Sequence, residues 1–311
     1  MSVRQEIRTW NRPLLVLAGL ALVQLVLSVG GLLFDDRVLI GDPIWLKPFK
    51  FAVSIAVYAA TLAWMVSLLH KGKRVAWWMA MITTVAMVIE MIALVLQTVR
   101  GVPSHFNAAP GFDSMVFSIM GNAIVVLWVA NLVVAILLMR QRVLDAPMAW
   151  AIRLGVVLAL IGMAVAFFMT PPTPEQMALL RQDIDPAMIG GHSVGVVDGG
   201  PGMPITGWST VGGDLRIPHF FGIHAMQTLP LLALFLRRRF ESVEIRTRLV
   251  LIGGIFYAGV LGLVLWQALR GQSLIAPDSL TLGVLGVLVV GSAGAWATAV
   301  RSKVSKSKAL V

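Results

Sequence analysis

Apolar runs of about twenty residues, separated by short polar breaks, follow one another along the whole chain, and no stretch of alternating apolar and polar residues marks a sheet. Crossing a bilayer as a helix takes about 20 residues. Eight stretches meet that length: Pro13–Phe34, Phe49–Leu69, Val75–Thr98, Met115–Met139, Met148–Met169, Pro218–Leu236, Leu249–Leu269 and Leu280–Val300. The pattern predicts an all-α polytopic membrane protein. It reads as a single integral membrane domain over residues 1–311, an eight-helix bundle with a long, partly ordered extracytoplasmic loop between the fifth and sixth helices. The first run is too long for the apolar core of a signal peptide and has no clear small-x-small cleavage site, so it reads as a span.

Composition agrees with the pattern. Hydrophobic residues make up 58% of the 311 and charged residues only 13%, too few to cover a soluble chain of this length. Cysteine is absent, which excludes disulfide frameworks, thiolate metal sites and iron–sulfur clusters.

The net charge of +10 points first to a nucleic-acid partner, but its distribution points to topology. Arg4, Arg8 and Arg12 precede the first span, and Lys71, Lys73 and Arg74 follow the second. Arg140, Arg142 and Arg153 flank the junction of the fourth and fifth. Arg237, Arg238, Arg239, Arg246 and Arg248 separate the sixth and seventh, and Arg301, Lys303, Lys306 and Lys308 follow the eighth. With an even number of spans all of these fall on one side. The positive-inside rule then predicts a multi-pass plasma-membrane protein with both termini cytoplasmic and no nucleic-acid partner.

On that topology the unusual polar residues lie on the outer side, in Asp35–Pro48, Val99–Ser114 and the long segment Thr170–Ile217. Connections of that last length are commonly functional or disordered, and this one reads as partly ordered. Thr173-Pro174-Glu175-Gln176 has the form of a helix cap with proline in the first turn, and predicts a short helix to about Asp185, stopped by Pro186. Beyond it His192, Asp198, Trp208 and Asp214 punctuate a Gly/Pro-rich stretch, which reads as a folded lid over residues 170–217.

Four of the five histidines, His105, His192, His219 and His224, fall on this outer side; His70 reads as a solvated helix end. On a straight sixth helix His224 lies ~9 Å below Pro218, with His219 at the rim and ~140° away around the axis. Glu90, Asn122, Gln24 and Gln227 sit at comparable depth, Glu90 roughly 12 Å below the outer end of its helix by the same rise. Ionisable groups at such depth face a bundle interior and are functional candidates. Two roles suit Glu90: a structural clamp to Asn122, or proton transfer. Lys47, Lys50, Arg100 and Arg216 are the basic residues that depart from the positive-inside pattern. Either they pair with Asp35, Asp36, Asp42, Asp113 and Asp214 and reach for phosphates, or they form an anion site.

Three function classes follow. The first is a membrane redox protein holding haem b, with His224 as axial ligand and His105, His219 or His192 as its partner. Lys47, Lys50, Arg100 and Arg216 would steady the propionates, Glu90, Gln227 and Asn122 would shape the pocket or carry a proton, and quinone or an external carrier would exchange electrons. The second is a proton-coupled transporter or receptor for a small anion or lipid headgroup, with Glu90 as the proton site and the basic quartet as the binding site. The third is a metal-dependent intramembrane hydrolase or transferase, in which His105, His192, His219 or His224 with Asp198 or Asp214 hold zinc, or copper with Met203 or Met226. Gly191-His192-Ser193-Val194-Gly195 spells a nucleophile elbow, yet that motif needs a strand–turn–helix scaffold which the pattern does not supply. The helix starts LKPFKF and RIPHFF suggest a duplication of four spans, though by eye the halves align no further.

Overall fold

Asn11 opens the first helix, its side chain accepting the amide of Leu14 at 3.2 Å with Pro13 in the first turn. From there the computed structural model is a helical bundle, described for residue 7, residues 9–141 and residues 144–308, with side chains as far as Arg301. Of the basic anchors, Arg4, Arg8 and Arg142 lie outside the described residues, as do the side chains of Lys303, Lys306 and Lys308.

The order is α1 (Arg12–Phe34), a hairpin of β1 (Val38–Leu39) and β2 (Asp42–Pro43), α2 (Leu46–Ser67), α3 (Lys73–Arg100), α4 (Phe112–Met139) and α5 (Ala146–Ala164). A 3-10 turn, Val165–Met169, leads to α6 (Pro174–Leu180), then to β3 (Ser193–Val194) paired antiparallel with β4 (Gly213–Asp214). The chain ends with α7 (Arg216–Ile223), α8 (Ala225–Arg239), α9 (Val243–Leu269) and α10 (Ser279–Lys308). Seven of these helices are long and apolar enough to cross a membrane, or eight if the bent pair α7–α8 counts as one span.

Three local expectations change. The sixth apolar run is no straight helix: α7 and α8 meet at 44° with His224 at the break. The fifth tightens into 3-10 geometry after Ala164. The capping box at Thr173 forms with Gln176 as its partner, but α6 stops at Leu180, five residues short of the expected end. Asp183, with φ at 56°, has turned out of helical geometry.

Packing carries further the duplication of four spans that LKPFKF and RIPHFF suggest. α1 lies along α2, α3 along α4, and α3 also touches both α1 and α2. In the second half α5 lies along α7–α8, α9 along α10, and α9 touches both α5 and α7–α8. The matching positions then carry matching residues. Asn11-Arg12-Pro13 and Asp145-Ala146-Pro147 open α1 and α5, and Pro48 and Pro218 each occupy the third position of a helix that follows a two-strand hairpin ending in Asp42-Pro43 or Gly213-Asp214.

Gln97-Thr98-Val99-Arg100-Gly101 closes α3 as Gln267-Ala268-Leu269-Arg270-Gly271 closes α9. Both glycines are left-handed, φ +75° and +70°, and both ends make the same paired bonds: Gly101 to Thr98 and Val102 to Gln97, Gly271 to Ala268 and Gln272 to Gln267. Arg100 then pairs with Asp113 at the start of α4, as Arg270 pairs with Asp278 just before α10. Parallel duplication of this kind is a recurrent way to build membrane bundles.

The core joins the halves through α4 and α5 and is closed by Leu14, Leu17, Met65, Ile152, Leu229 and Leu249, all essentially inaccessible. At the crossing of α5 and α7 the chains meet backbone to backbone. A Cβ at Gly162 would lie 2.6 Å from the backbone of Gly222, and one at Gly222 would overlap the Cα of Gly162. This contact seats α7 against α5 and brings His219 Nδ1 to 2.8 Å from the carbonyl of Gly162.

Candidate functional site

At one end of the bundle, called here the loop end, three connections interlock. Arg37 grips Asp35 at 2.7 Å and reaches the carbonyl of Val99 at 3.1 Å, while Trp45 donates to Asp35 at 2.7 Å. These bonds hold the start of α2 beside the end of α3. Asp35 accepts so many of them that its carboxyl is held well below the usual carboxylate range, chiefly by Arg37 and then Trp45. Gln24 of α1 donates to the carbonyl of Pro48 at 3.1 Å, fixing the first turn of α2 from its other side.

That first turn carries Lys47, and the connection after α3 carries His105. Nζ of Lys47 lies 3.2 Å from Nδ1 of His105, and Nε2 of the same ring lies 3.1 Å from Oε1 of Glu90, which is 1% exposed. Ser104 Oγ is 3.0 Å from Nδ1. Since an ammonium only donates, Nδ1 accepts from Lys47 and Nε2–H donates to Glu90. An imidazole therefore bridges a buried carboxylate and a partly buried ammonium. Among the described residues, Oε2 of Glu90 is buried with no hydrogen-bond partner.

The long segment between α5 and α7 closes over this chain. Its backbone joins the connection after α3 in short antiparallel contacts: Ala108 donates to Ala187, Ile189 to Phe106, and Asn107 bridges Met188. Phe106, buried and at φ 62°, puts its ring edge-on between His105 and His192, 6.2 and 4.9 Å from their centroids, and Phe51 meets His105 from α2 at 5.7 Å. Asp198 is the staple of the segment, accepting the amides of His192 and Ser193 at 2.9 and 2.8 Å and facing His192 Nδ1 at 3.1 Å. Burial pushes His192 down to about 4, against the pull of that carboxylate. Asp198 itself is held low: burial acts to raise it, and His192 and the two amides overcome that.

Each cation of the expected quartet has a specific place. Arg216 lies on Asp214 at 2.6 Å and donates to the carbonyl of Gly207 at 2.7 Å; Asp214 is wholly buried and also accepts the amide of Ser209 at 2.8 Å. Lys50 donates to the carbonyl of Thr206 at 2.8 Å and is 3.8 Å from Asp42. Arg100 belongs to a separate cluster with Gln97, Asp113 and the Phe112 ring. Among the described residues, Lys47 alone of the four has no carboxylate within salt-bridge distance, although Glu90, Lys50, Arg216 and Asp198 all act on it electrostatically.

The remaining expected residues divide. His219 spends Nδ1 on Gly162 and stays within electrostatic reach of His105 and His224. His224 caps the α7–α8 break through its carbonyl, which accepts Gln227 and Thr228. Gln227 donates to Thr61 Oγ1 at 3.2 Å and leaves its own oxygen buried without a partner. His70 is exposed, as expected.

The clamp between Glu90 and Asn122 does not form. Asn122 turns its amide onto Ser118 of its own helix at 2.8 Å and lines an apolar groove between α3 and α4, about 560 Å³, with Trp78, Met81 and Ile119. Helical phase separates them: Glu90 faces α2 and the connection, while Asn122 lies on the exposed side of α4. Ser193 has its amide on Asp198 and sits on a two-residue strand, with no strand–turn–helix elbow around it. Among the described residues no three His, Asp or Glu side chains are arranged to hold one metal ion.

Two elements escaped sequence reading. Tyr58 donates to Asn131 at 2.7 Å inside the core. Thr83, two turns from Glu90 on the same face of α3, is buried with an unpartnered hydroxyl. A seven-residue spacing of Thr83, Glu90 and Gln97 in an apolar helix was the available signal. Comparison with protein-family models, with curated proteins and with solved structures finds no match for this chain.

Proposed function

We propose that this chain is an eight-span plasma-membrane protein with cytoplasmic termini, and that its loop end faces outward as the site of a proton-coupled transporter or receptor for a small anion or lipid headgroup. The orientation rests on the basic residues: Lys71, Lys73, Arg74, Arg140, Arg153, Arg237, Arg238, Arg239, Arg246 and Arg248 lie at the helix ends away from the long segment, which suits the cytoplasmic face. The lid would be the segment 170–215, seated on the starts of α2 and α7.

The Glu90–His105–Lys47 chain carries the functional reading. A carboxylate inside a bundle, hydrogen-bonded to an imidazole that is 22% exposed, connects the interior to the loop-end surface by one proton-conducting ring. Aspartates already compensate Arg100, Arg216 and Lys50, so Lys47 is left as the point of attraction for an anionic group. Pyranine-loaded proteoliposomes in nitrate or phosphate medium, given an external pH step, test this. Wild type should acidify the lumen faster than protein-free vesicles and Glu90→Gln should not; equal rates for the two proteins overturn the reading.

A haem b protein remains the second reading, carried by His224. Its ring makes no hydrogen bond among the described residues, and His219 keeps Nε2 for a ligand beside it. His105 suits this role less, since both of its ring nitrogens are engaged. A Soret band in the purified protein that disappears in His224→Ala supports haem; the absence of any Soret band in oxidised and reduced protein overturns it.

A further inference from the structure

Building on the proton-coupled reading, we infer that the site takes up one small monovalent oxyanion with each proton, and that His105 hands Lys47 from Glu90 to that anion. In the observed arrangement the ring proton is on Nε2 and Lys47 donates to Nδ1. Burial and the Lys47 charge together push the imidazole below its ordinary value, in keeping with a neutral ring.

A proton arriving from the loop-end surface reaches Nδ1 of the ring, whose side chain is 22% exposed, with the Ser104 hydroxyl 3.0 Å away to accept the new N–H. As the Nδ1–H bond forms, the Nε2–H bond breaks and its proton passes across 3.1 Å to Oε1 of Glu90. The ring stays neutral and Glu90 becomes a carboxylic acid whose O–H donates to Nε2. Nδ1–H now donates to Ser104 and can no longer accept from Lys47. The ammonium has lost both its acceptor and its counter-charge.

The other charged groups facing Lys47 do not replace them. Lys50 is beside Asp42 and bonded to Thr206, Arg216 is locked on Asp214, and Asp198 is held by the backbone amides of His192 and Ser193 and reaches Lys47 through space, not by contact. A partly buried cation without a counter-ion is unfavourable, so an anion takes the place of the lost carboxylate. Before the event the pair is Glu90 carboxylate and Lys47 ammonium, net zero. Afterwards it is neutral Glu90, Lys47 ammonium and one monovalent anion, again net zero. A divalent anion leaves excess charge in a low-dielectric site and is disfavoured. Because the anion stands in for a carboxylate, small carboxylates and planar oxyanions of one charge are the matching class.

Titration calorimetry on the full-length protein in detergent, in buffers of different ionisation enthalpy, tests this with acetate, nitrate and sulfate and with acetamide as the neutral control. Acetate or nitrate should bind with uptake of one proton and gain about tenfold in affinity per pH unit of acidification; sulfate should bind more weakly and acetamide not at all. Glu90→Gln, which mimics the protonated acid, should bind the same anions without proton uptake or pH dependence, and Lys47→Gln should lose them.

Anion binding by wild type without proton uptake, an unchanged pH slope in Glu90→Gln, or binding of neither monovalent anion overturns the inference. If Glu90→Gln fails to fold, the wild-type proton count and Lys47→Gln decide it alone. Glu90-dependent proton movement in vesicles with no anion binding sinks this inference and leaves the proton-coupled reading standing. Proton movement indifferent to Glu90 sinks both.

Discussion

One oxygen of Glu90 receives the Nε2–H of His105 at 3.1 Å, while the other lies buried without any partner. The carboxylate is thus half satisfied, and the ring that satisfies it also leans on Lys47. Removing the carboxyl leaves the Nε2–H of His105 without its acceptor inside the bundle, a loss of about 1–3 kcal/mol for a buried donor left unpaired. Glu90→Ala should therefore lower thermal stability in detergent well below Glu90→Gln, which keeps an acceptor for His105. Equal melting temperatures for the two would show that the acceptor Glu90 offers His105 adds nothing to the fold.

Asp214 should be among the least replaceable residues of the loop end. It is wholly buried, holds Arg216 through both oxygens and accepts the amide of Ser209. Asp214→Asn keeps the shape but strands the guanidinium, with an expected loss of roughly 3 kcal/mol. Arg216→Lys should also destabilise, because an ammonium cannot reproduce two parallel bonds while reaching the Gly207 carbonyl. Limited proteolysis of the 170–215 segment measures both effects; cleavage rates equal to wild type would contradict this role.

Gly162 and Gly222 make a crossing that no larger residue fits. Gly162→Ala must push α7 away from α5, at a cost of about 1–3 kcal/mol for overpacking, and must lengthen the His219 bond to the Gly162 carbonyl. The His219 imidazole resonances should shift in that variant and stay in place in Gly19→Ala, whose Cβ would meet open space.

Acid should loosen the loop end through His192. Its folded value is depressed to about 4 from an ordinary 6.5, so the stability it contributes is complete above about 6.5 and falls away as pH drops toward 4. Asp198, also depressed, adds its own loss at still lower pH, below the ordinary carboxylate value. Hydrogen exchange of the amides of His192 and Ser193, both held by Asp198, should accelerate from pH 6.5 to 4 beyond its intrinsic trend. His192→Gln should flatten that dependence, and a profile identical to wild type would remove His192 as its source.

What could be read without coordinates followed from local physics. Apolar runs of bilayer length and the pairing of Thr173 with Gln176 each specify an element from a few neighbouring residues, and helices start there. That His105, Glu90 and Lys47 belong to one polar region was also legible, because lipid does not tolerate such groups singly. Their partners were not. Depth alone suggested Asn122 for Glu90, whereas helix rotation gave the place to His105 and turned Asn122 outward.

By itself, then, the sequence determined the class, the apolar helices and the set of groups needing shelter, since these depend on hydrophobicity and on near neighbours. Only the tertiary structure decided the bend at His224, the Gly162–Gly222 crossing, the extent of the repeat between halves and the imidazole bridge. Each of these depends on which helix faces pack together, and that choice is made by contacts between residues far apart in the chain.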